Sequence, residues 1–155
     1  EVTVYTRGAY NPDLDSLTDD YNVRNFAHSE YLVNGNKIHV LSHHGHHEAG
    51  SKEGSTENTE AMALIGDYID KLEGEVILAG DMNIGIHSES LQPIEARLRN
   101  LCKEFGIKTT RNKLAKRPTE VIDYVFVSKG VKVENFSVSE ELVSDHAALI
   151  LEFDL

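Results

Sequence analysis

Residues 75–83 read EVILAGDMN, and this stretch decides the fold that the sequence predicts. The run from Glu75 to Ala79 is apolar and rich in β-branched residues, which indicates a fully buried strand ending at Gly80. Asp81 and Asn83 follow two residues apart, and such positions point to the same side of an extended backbone. We therefore expect a carboxylate and an amide to project together from one edge of a sheet.

Two interpretations of this polar pair are open from the stretch alone. Asp and Asn after a strand often form only a turn, because their side chains hydrogen-bond their own backbone. The same carboxylate and amide could instead hold a metal-bound phosphate and its attacking water. Three other stretches of the chain, described below, favour the second interpretation.

Length and composition limit the classes of protein that fit. The chain has 155 residues, which suits a single domain spanning 1–155, and 40% of them are apolar, enough for an ordinary core. Its formal charge of -11, from 15 basic and 26 acidic residues, repels a nucleic-acid backbone unless metals or a local basic patch offset it. The single cysteine, Cys102, excludes an intrachain disulfide and suits a reducing compartment. With no leader-like start and no run of about 18 apolar residues, we expect a cytoplasmic protein without membrane insertion.

Periodicity and turn residues predict strands that outnumber helices, with the helices lying between strands. Asn34-Gly35 predicts a tight hairpin turn, Ser55 and Ser90 predict helix starts, and Gly74 and Gly106 predict helix ends. We expect a loop over 7–23. The predicted strands are 2–6, 24–33, 37–42, 75–79, 107–110, 121–127, 131–138 and 147–153.

Polar residues of catalytic type lie at or near the ends of these strands. His44 follows one strand, Asp81 and Asn83 follow another, and Asp145-His146 comes just before the last. Asp123 lies inside the apolar strand 121–127, where an unpaired carboxylate is costly, so we expect a histidine partner. The same residues could provide the functions that cleavage of a phosphate ester needs.

Each of these residues then receives a role as a hypothesis. His146 would contact the scissile phosphate or accept a proton, with Asp123 behind it. Asp81 would orient or deprotonate water beside Asn83, and His44 would hydrogen-bond a phosphate oxygen. Asp145 would help to hold a divalent cation.

The order of these motifs resembles that of the endonuclease/exonuclease/phosphatase superfamily, the DNase I-like phosphoesterases. The similar stretches are Val40–His44, Gly-Asp-x-Asn at 80–83, Ile-Asp-Tyr-Val-Phe-Val-Ser at 122–128 and Ser-Asp-His at 144–146. The resemblance implies an α+β four-layer α/β/β/α sandwich and a Mg²⁺- or Mn²⁺-dependent hydrolase of phosphomono- or phosphodiesters, of nuclease or phosphatase type. It also implies catalytic roles for His44, Asp81, Asn83, Asp123 and His146, and metal-site roles for Asp81 and Asp145.

The resemblance covers about residues 24–155 and departs from the family pattern at its start. The Asn and the metal-binding Glu that the family takes from early strands have no counterpart before residue 24. We therefore expect a C-terminal part of such a domain that lacks its N-terminal strands. A non-catalytic binding domain, which pairs with a second copy or with a complementing N-terminal segment, is the alternative.

Two further groups of side chains can each be interpreted in two ways. The histidines in the stretch His39–His47 could form a transition-metal site, or only one of them could belong to the active site. The basic loop 111–117 could bind substrate phosphate through Arg111, or it could be solvated. We therefore expect Asn83 and Arg111 to bind the substrate. The expected substrate is a small phosphoester or a nucleic acid.

Overall fold

The computed structural model describes residues 2–4, 24–47, 51–116 and 120–155. The loop predicted over 7–23 lies outside these residues, as do residues 5 and 6 of the first predicted strand and Arg117 of the basic loop. The described strands are β1 (Val2–Val4), β2 (Asn25–Val33), β3 (Asn36–His43), β4 (Glu75–Asp81), β5 (Arg99–Asn100), β6 (Asp123–Val127), β7 (Lys132–Val138) and β8 (Leu149–Asp154). The described helices are α1 (Thr56–Ile69), α2 (Gln92–Glu95) and α3 (Leu101–Glu104), and a 3-10 turn covers Glu89–Leu91.

Six strands form one sheet in the order β1-β2-β3-β4-β6-β5, and β7 pairs with β8 separately. Only the pair of β3 and β4 is parallel among the described strands; the other pairs are antiparallel. The hairpin of β2 and β3 turns at Asn34 and Gly35, which both have positive φ, so the predicted tight turn is confirmed. Strands and helices alternate as predicted, and the α+β class is confirmed.

Helix α1 packs its apolar face against the large sheet. Ser55 caps it as predicted, since its hydroxyl accepts a hydrogen bond from the Asn58 backbone N–H. Ala61 and Ile65 are buried in the same core as the sheet residues, whereas Leu64, predicted on this face, is 39% exposed. The helix ends at Ile69, so the predicted end at Gly74 is wrong.

One long helix predicted from Ser90 to Gly106 is replaced by a 3-10 turn, two four-residue helices and a two-residue strand. Arg99 and Asn100 leave the helical path because they pair with Val127 and Phe126 of β6. The Asn100 side chain then caps α3 by accepting from the Lys103 N–H. Pairing with the sheet therefore overrides the helical periodicity of this segment.

The predicted strand 107–110 is also absent from the described structure. Its last residue, Thr110, hydrogen-bonds backbone groups of Glu120 and Ala147 instead of a regular ladder. These bonds bring the segment between β6 and the start of β8. Thr110 and Arg111 of this segment therefore reach the candidate site.

The carboxyl end of β4 meets the amino end of β6, and this junction positions the site. The two strands are antiparallel, and Asp81 lies directly opposite Asp123 in their register. Gly80 permits the approach of β3, because its φ is +144° and a Cβ there would overlap the His43 carbonyl oxygen. The sequence Gly-Asp therefore ends the strand and places a carboxylate against the neighbouring strand.

Candidate functional site

His146 and Asp123 form a hydrogen-bonded pair in the site. Nδ1 of His146 lies 2.9 Å from Oδ1 and 3.0 Å from Oδ2 of Asp123. Nη1 of Arg111 lies 2.9 Å from Nε2 of the same ring. A guanidinium can only donate, so Nε2 accepts and the ring proton is on Nδ1, where it is donated to Asp123.

Thr110 holds the Asp123 carboxylate from behind. Its hydroxyl is fully buried and donates to Oδ2 of Asp123 at 2.6 Å. The hydroxyl oxygen of Thr110 also accepts hydrogen bonds from the backbone N–H groups of Ile122 and Asp123, both at 3.2 Å. Thr110 therefore fixes both the side chain and the backbone of Asp123 at the start of β6.

Asp81 lies between two histidines and beside a second carboxylate. Its Oδ2 atom is 3.9 Å from Nε2 of His44 and 3.9 Å from Nε2 of His146. Burial raises the pKa of Asp81, and the negative charge of Asp123 raises it further, against the opposing hydrogen bond from the Asn83 N–H. The pKa of His44 is lowered, first by burial, although Asp81 acts in the opposite direction. The site therefore concentrates negative charge that favours a cation.

Asn83 does not project beside Asp81 as the extended-backbone argument predicted. Its φ is +55°, and its backbone N–H donates to Oδ1 of Asp81 at 2.8 Å. Its buried side chain accepts from Nζ of Lys52 at 2.8 Å and donates to the Gly45 carbonyl at 3.3 Å. Asn83 therefore links Asp81 to Lys52, and the prediction of two parallel side chains was wrong because the chain turns at this residue.

Asp145 and Arg111 meet at the rim of the site. Nη2 of Arg111 lies 2.5 Å from Oδ2 of Asp145. The Asp145 side chain is 46% exposed and that of Arg111 is 16% exposed. Arg111 therefore bridges a carboxylate and the imidazole of His146 in the described structure.

The histidines near the end of β3 separate into different environments. His43 is buried and donates from Nδ1 to the Asn25 carbonyl, and burial lowers its pKa to about 4. His44 lies on the Asp81 side, and Nδ1 of His47 accepts from Lys52 at 3.1 Å. Among the residues that the structure describes, no three histidines form a metal-type cluster. The interpretation with one site histidine, His44, therefore fits this geometry better than a histidine metal site.

Three side chains converge closely enough to share one ion. One ligand atom from each of Asp81, Asp123 and His146 lies within 4.8 Å of the others, and all three residues are partly buried. Carboxylate oxygens with one imidazole are donors that Mn²⁺ and Mg²⁺ accept. Burial first, and then the charge of Asp123, raises the pKa of Asp81, and a divalent cation would offset the cost of these two charges, so the residues fit one. Asp145, predicted as a ligand, lies outside this trio and contacts Arg111.

Sequence reasoning missed Thr110 and Lys52. The sequence predicts Thr110 only as part of a strand. No motif indicates that a threonine 13 residues before Asp123 contacts its carboxylate. Lys52 lies in the loop before α1, and Gly85 N–H donates to its carbonyl at 2.6 Å. Both contacts depend on loop paths that the sequence pattern does not specify.

Comparison with known proteins identifies the class of this fold and site. The chain belongs to the Endonuclease/Exonuclease/phosphatase family, whose model matches residues 5–146. No curated protein matches the chain. Among the described residues, no helix has both the length and the apolar character needed to cross a membrane.

Three solved structures are similar to the chain over nearly its whole length. An endonuclease/exonuclease/phosphatase from Bacteroides vulgatus has a TM-score of 0.74 at 19% identity, with 100% of this chain and 64% of that chain covered. TDP2 of D. rerio, complexed with a single-strand DNA product, has a TM-score of 0.68 at 17% identity, with 100% and 67% covered. A mannosyl-6-phosphatase of Bacteroides thetaiotaomicron has a TM-score of 0.67 at 18% identity, with 99% and 67% covered. These similarities confirm the DNase I-like fold, and the chain spans about two thirds of each of these structures.

Proposed function

We propose that this chain carries the catalytic residues of a divalent-metal-dependent phosphoesterase that cleaves its substrate with water. The observation that supports the proposal is the convergence of Asp81, Asp123 and His146, whose ligand atoms lie within 4.8 Å of one another. Membership of the Endonuclease/Exonuclease/phosphatase family agrees with this chemistry.

The roles of the residues follow from their contacts. Asp123 accepts from the Nδ1–H of His146 and so leaves Nε2 of that ring as the atom that faces the site. Asp81 orients or deprotonates the attacking water, and Asn83 fixes Oδ1 of Asp81 through its backbone N–H. His44, on the other side of Asp81, donates to a non-bridging phosphate oxygen.

A bound Mg²⁺ or Mn²⁺ would supply positive charge to the phosphoryl oxygens. Asp81, Asp123 and His146 would hold it, with Asp145 as a further ligand once that carboxylate is released from Arg111. The donor set is rich in carboxylate, which favours these hard cations over the softer transition metals.

The net charge of -11 favours a compact phosphoester over a long nucleic acid. The names of two similar structures suggest the comparison to make, since one is complexed with single-strand DNA product and the other is a mannosyl-6-phosphatase. We therefore propose a small phosphoester as substrate and a nucleic acid as the second possibility. The rates at which the protein hydrolyses a hexose 6-phosphate and a short single-stranded DNA, measured in competition, distinguish these two possibilities.

The proposed activity is tested with bis(p-nitrophenyl) phosphate and p-nitrophenyl phosphate in the presence of Mg²⁺ or Mn²⁺. Turnover should require the metal and should fall by about a hundredfold or more in Asp81→Asn and in His146→Ala. Asp70→Asn is the matched control, because Asp70 pairs with Arg97 on the surface and has no contact with the site. Equal turnover in Asp81→Asn and Asp70→Asn would remove Asp81 from the mechanism.

A further inference from the structure

Arg111 contacts one member of the candidate cation site, His146, and the carboxylate at its rim, Asp145. Its Nη1 atom lies 2.9 Å from Nε2 of His146, and its Nη2 atom lies 2.5 Å from Oδ2 of Asp145. Nε2 of His146 is also the ring atom that faces Asp81, at 3.9 Å from Oδ2. The lone pair of Nε2 cannot serve a metal while it accepts from the guanidinium.

The backbone of Arg111 is anchored, whereas its side chain is incompletely satisfied. The residue forms a bridge with His146, and its N–H donates to Oγ1 of Thr109 at 2.9 Å. Its Nε atom is buried and has no hydrogen-bond partner among the described residues. An unpaired buried N–H costs free energy, so this position leaves one donor of the guanidinium uncompensated for the water it has lost. Rotation of the side chain alone would release both of its partners.

We propose that Arg111 is an exchangeable counter-ion of the site. Its guanidinium neutralises Asp145 and covers Nε2 of His146 in the free protein, and it leaves both when a divalent cation binds. The released guanidinium then faces the phosphoryl group of the substrate, to which its planar fork can donate two hydrogen bonds. This inference rests on the proposed function, because it assumes that the cation and the phosphoryl group share this site.

Exchange of Arg111 predicts changes in metal and phosphate affinity that differ from those of a purely structural residue. Removal of the guanidinium should strengthen the binding of metal, because a competitor is lost, and should weaken the binding of phosphate, because a ligand is lost. A residue that only stabilises the fold of the site would weaken both. The two affinities measured together therefore separate the two roles.

Isothermal titration of the full 155-residue chain with MnCl₂ measures the first affinity without any substrate. We expect Arg111→Gln to bind Mn²⁺ about tenfold more tightly than the wild type, the scale of one lost charge-assisted hydrogen bond. Arg111→Lys should lie between them, because an ammonium keeps the charge but cannot bridge Asp145 and His146 at once. Arg97→Gln is the matched control, since Arg97 pairs with Asp67 and Asp70 and should leave Mn²⁺ affinity unchanged.

Titration with inorganic phosphate at saturating Mn²⁺ measures the second affinity. We expect Arg111→Gln to lose about tenfold and Arg111→Lys to lose less. Mn²⁺ affinity that is unchanged or weaker in a folded Arg111→Gln would overturn the exchange. If that variant does not fold, unchanged Mn²⁺ affinity in a folded Arg111→Lys would overturn it instead.

The proposed function and the exchange fail in different ways. Mn²⁺ binding that strengthens in Arg111→Gln, without hydrolysis of any phosphoester by the wild type, would support the exchange and contradict the proposed activity. Metal-dependent hydrolysis lost in Asp81→Asn, with equal Mn²⁺ affinity in the wild type and Arg111→Gln, would support the activity and contradict the exchange.

Discussion

Both carboxylate oxygens of Asp123 lie within 3.0 Å of Nδ1 of His146, across 23 residues of sequence. The carboxylate accepts from Nδ1–H and so fixes both the orientation of the ring and the position of its proton. The pair therefore joins the amino end of β6 to the segment before β8 and directs one ring nitrogen towards Asp81.

Replacement of Asp123 by Asn should preserve the packing of β6 but remove this control of the ring. An amide can donate to Nδ1, which would move the ring proton to Nε2 and leave it facing the Arg111 guanidinium. We expect kcat for a generic phosphodiester to fall by about a hundredfold or more. Nitrogen-15 chemical shifts of His146 report the tautomer directly, and an unchanged Nδ1–H form in Asp123→Asn would contradict this account.

Thr110→Val should destabilise the fold as well as the site. The substitution keeps the shape of the side chain but removes the hydrogen bonds that the hydroxyl makes to Asp123 Oδ2 and to the N–H groups of Ile122 and Asp123. We expect a loss of about 1–3 kcal/mol in the free energy of unfolding, measured with urea. Thr110→Ser retains the hydroxyl and should lose less, so equal losses in the two variants would point to packing rather than hydrogen bonding.

Gly80→Ala should be far more costly than Gly106→Ala, although both glycines have positive φ. A Cβ at Gly80 would overlap the His43 carbonyl between β3 and β4, whereas a Cβ at Gly106 would meet no atom within 4 Å. We expect Gly106→Ala to cost about 1 kcal/mol, the usual penalty of this backbone region, and Gly80→Ala to cost several times more. Urea unfolding of the two variants tests the difference. Similar midpoints would show that β3 moves aside easily.

The stability of the protein should fall in mild acid because of His43. Its pKa in the folded state is about 4, below the ordinary value of 6.5, so the folded state binds fewer protons than the unfolded chain. The full contribution is therefore present above pH 6.5 and is lost as the pH falls towards 4. Between pH 7 and 5.5 the loss amounts to about 1 kcal/mol.

Urea unfolding of the wild type and His43→Gln at both pH values isolates this contribution. The variant should be less stable at pH 7, because it disturbs the bond to the Asn25 carbonyl, but its stability should depend less on pH. Parallel pH dependence in the two proteins would show that His43 does not titrate in this range.

Local signals of the sequence were sufficient for several elements. The positive φ that Asn34 and Gly35 tolerate predicted the hairpin, and the hydroxyl of Ser55 predicted the start of α1. The apolar run before Gly80 predicted β4, which extends to Asp81. These features depend on conformations of a few neighbouring residues, and such preferences can be derived from residue type alone.

The break in the predicted helix 90–106 and the direction of Asn83 depended on distant partners. Arg99 and Asn100 pair with β6, and the side chain of Asn83 bonds Lys52 and Gly45. Periodicity describes one segment at a time, so it cannot weigh a helical hydrogen bond against one offered by a strand 26 to 28 residues further along the chain. Both predictions were wrong for this reason.

The sequence by itself determined the α+β class, the positions of most strands along the chain and the residue types that could carry phosphoester chemistry. Only the tertiary structure decided that Asp81 lies opposite Asp123, that Thr110 holds that carboxylate, and that Arg111 covers His146 and Asp145. The physical reason is that backbone preferences act over a few residues, whereas the charges of this site interact through space between segments that only the packed sheet brings together.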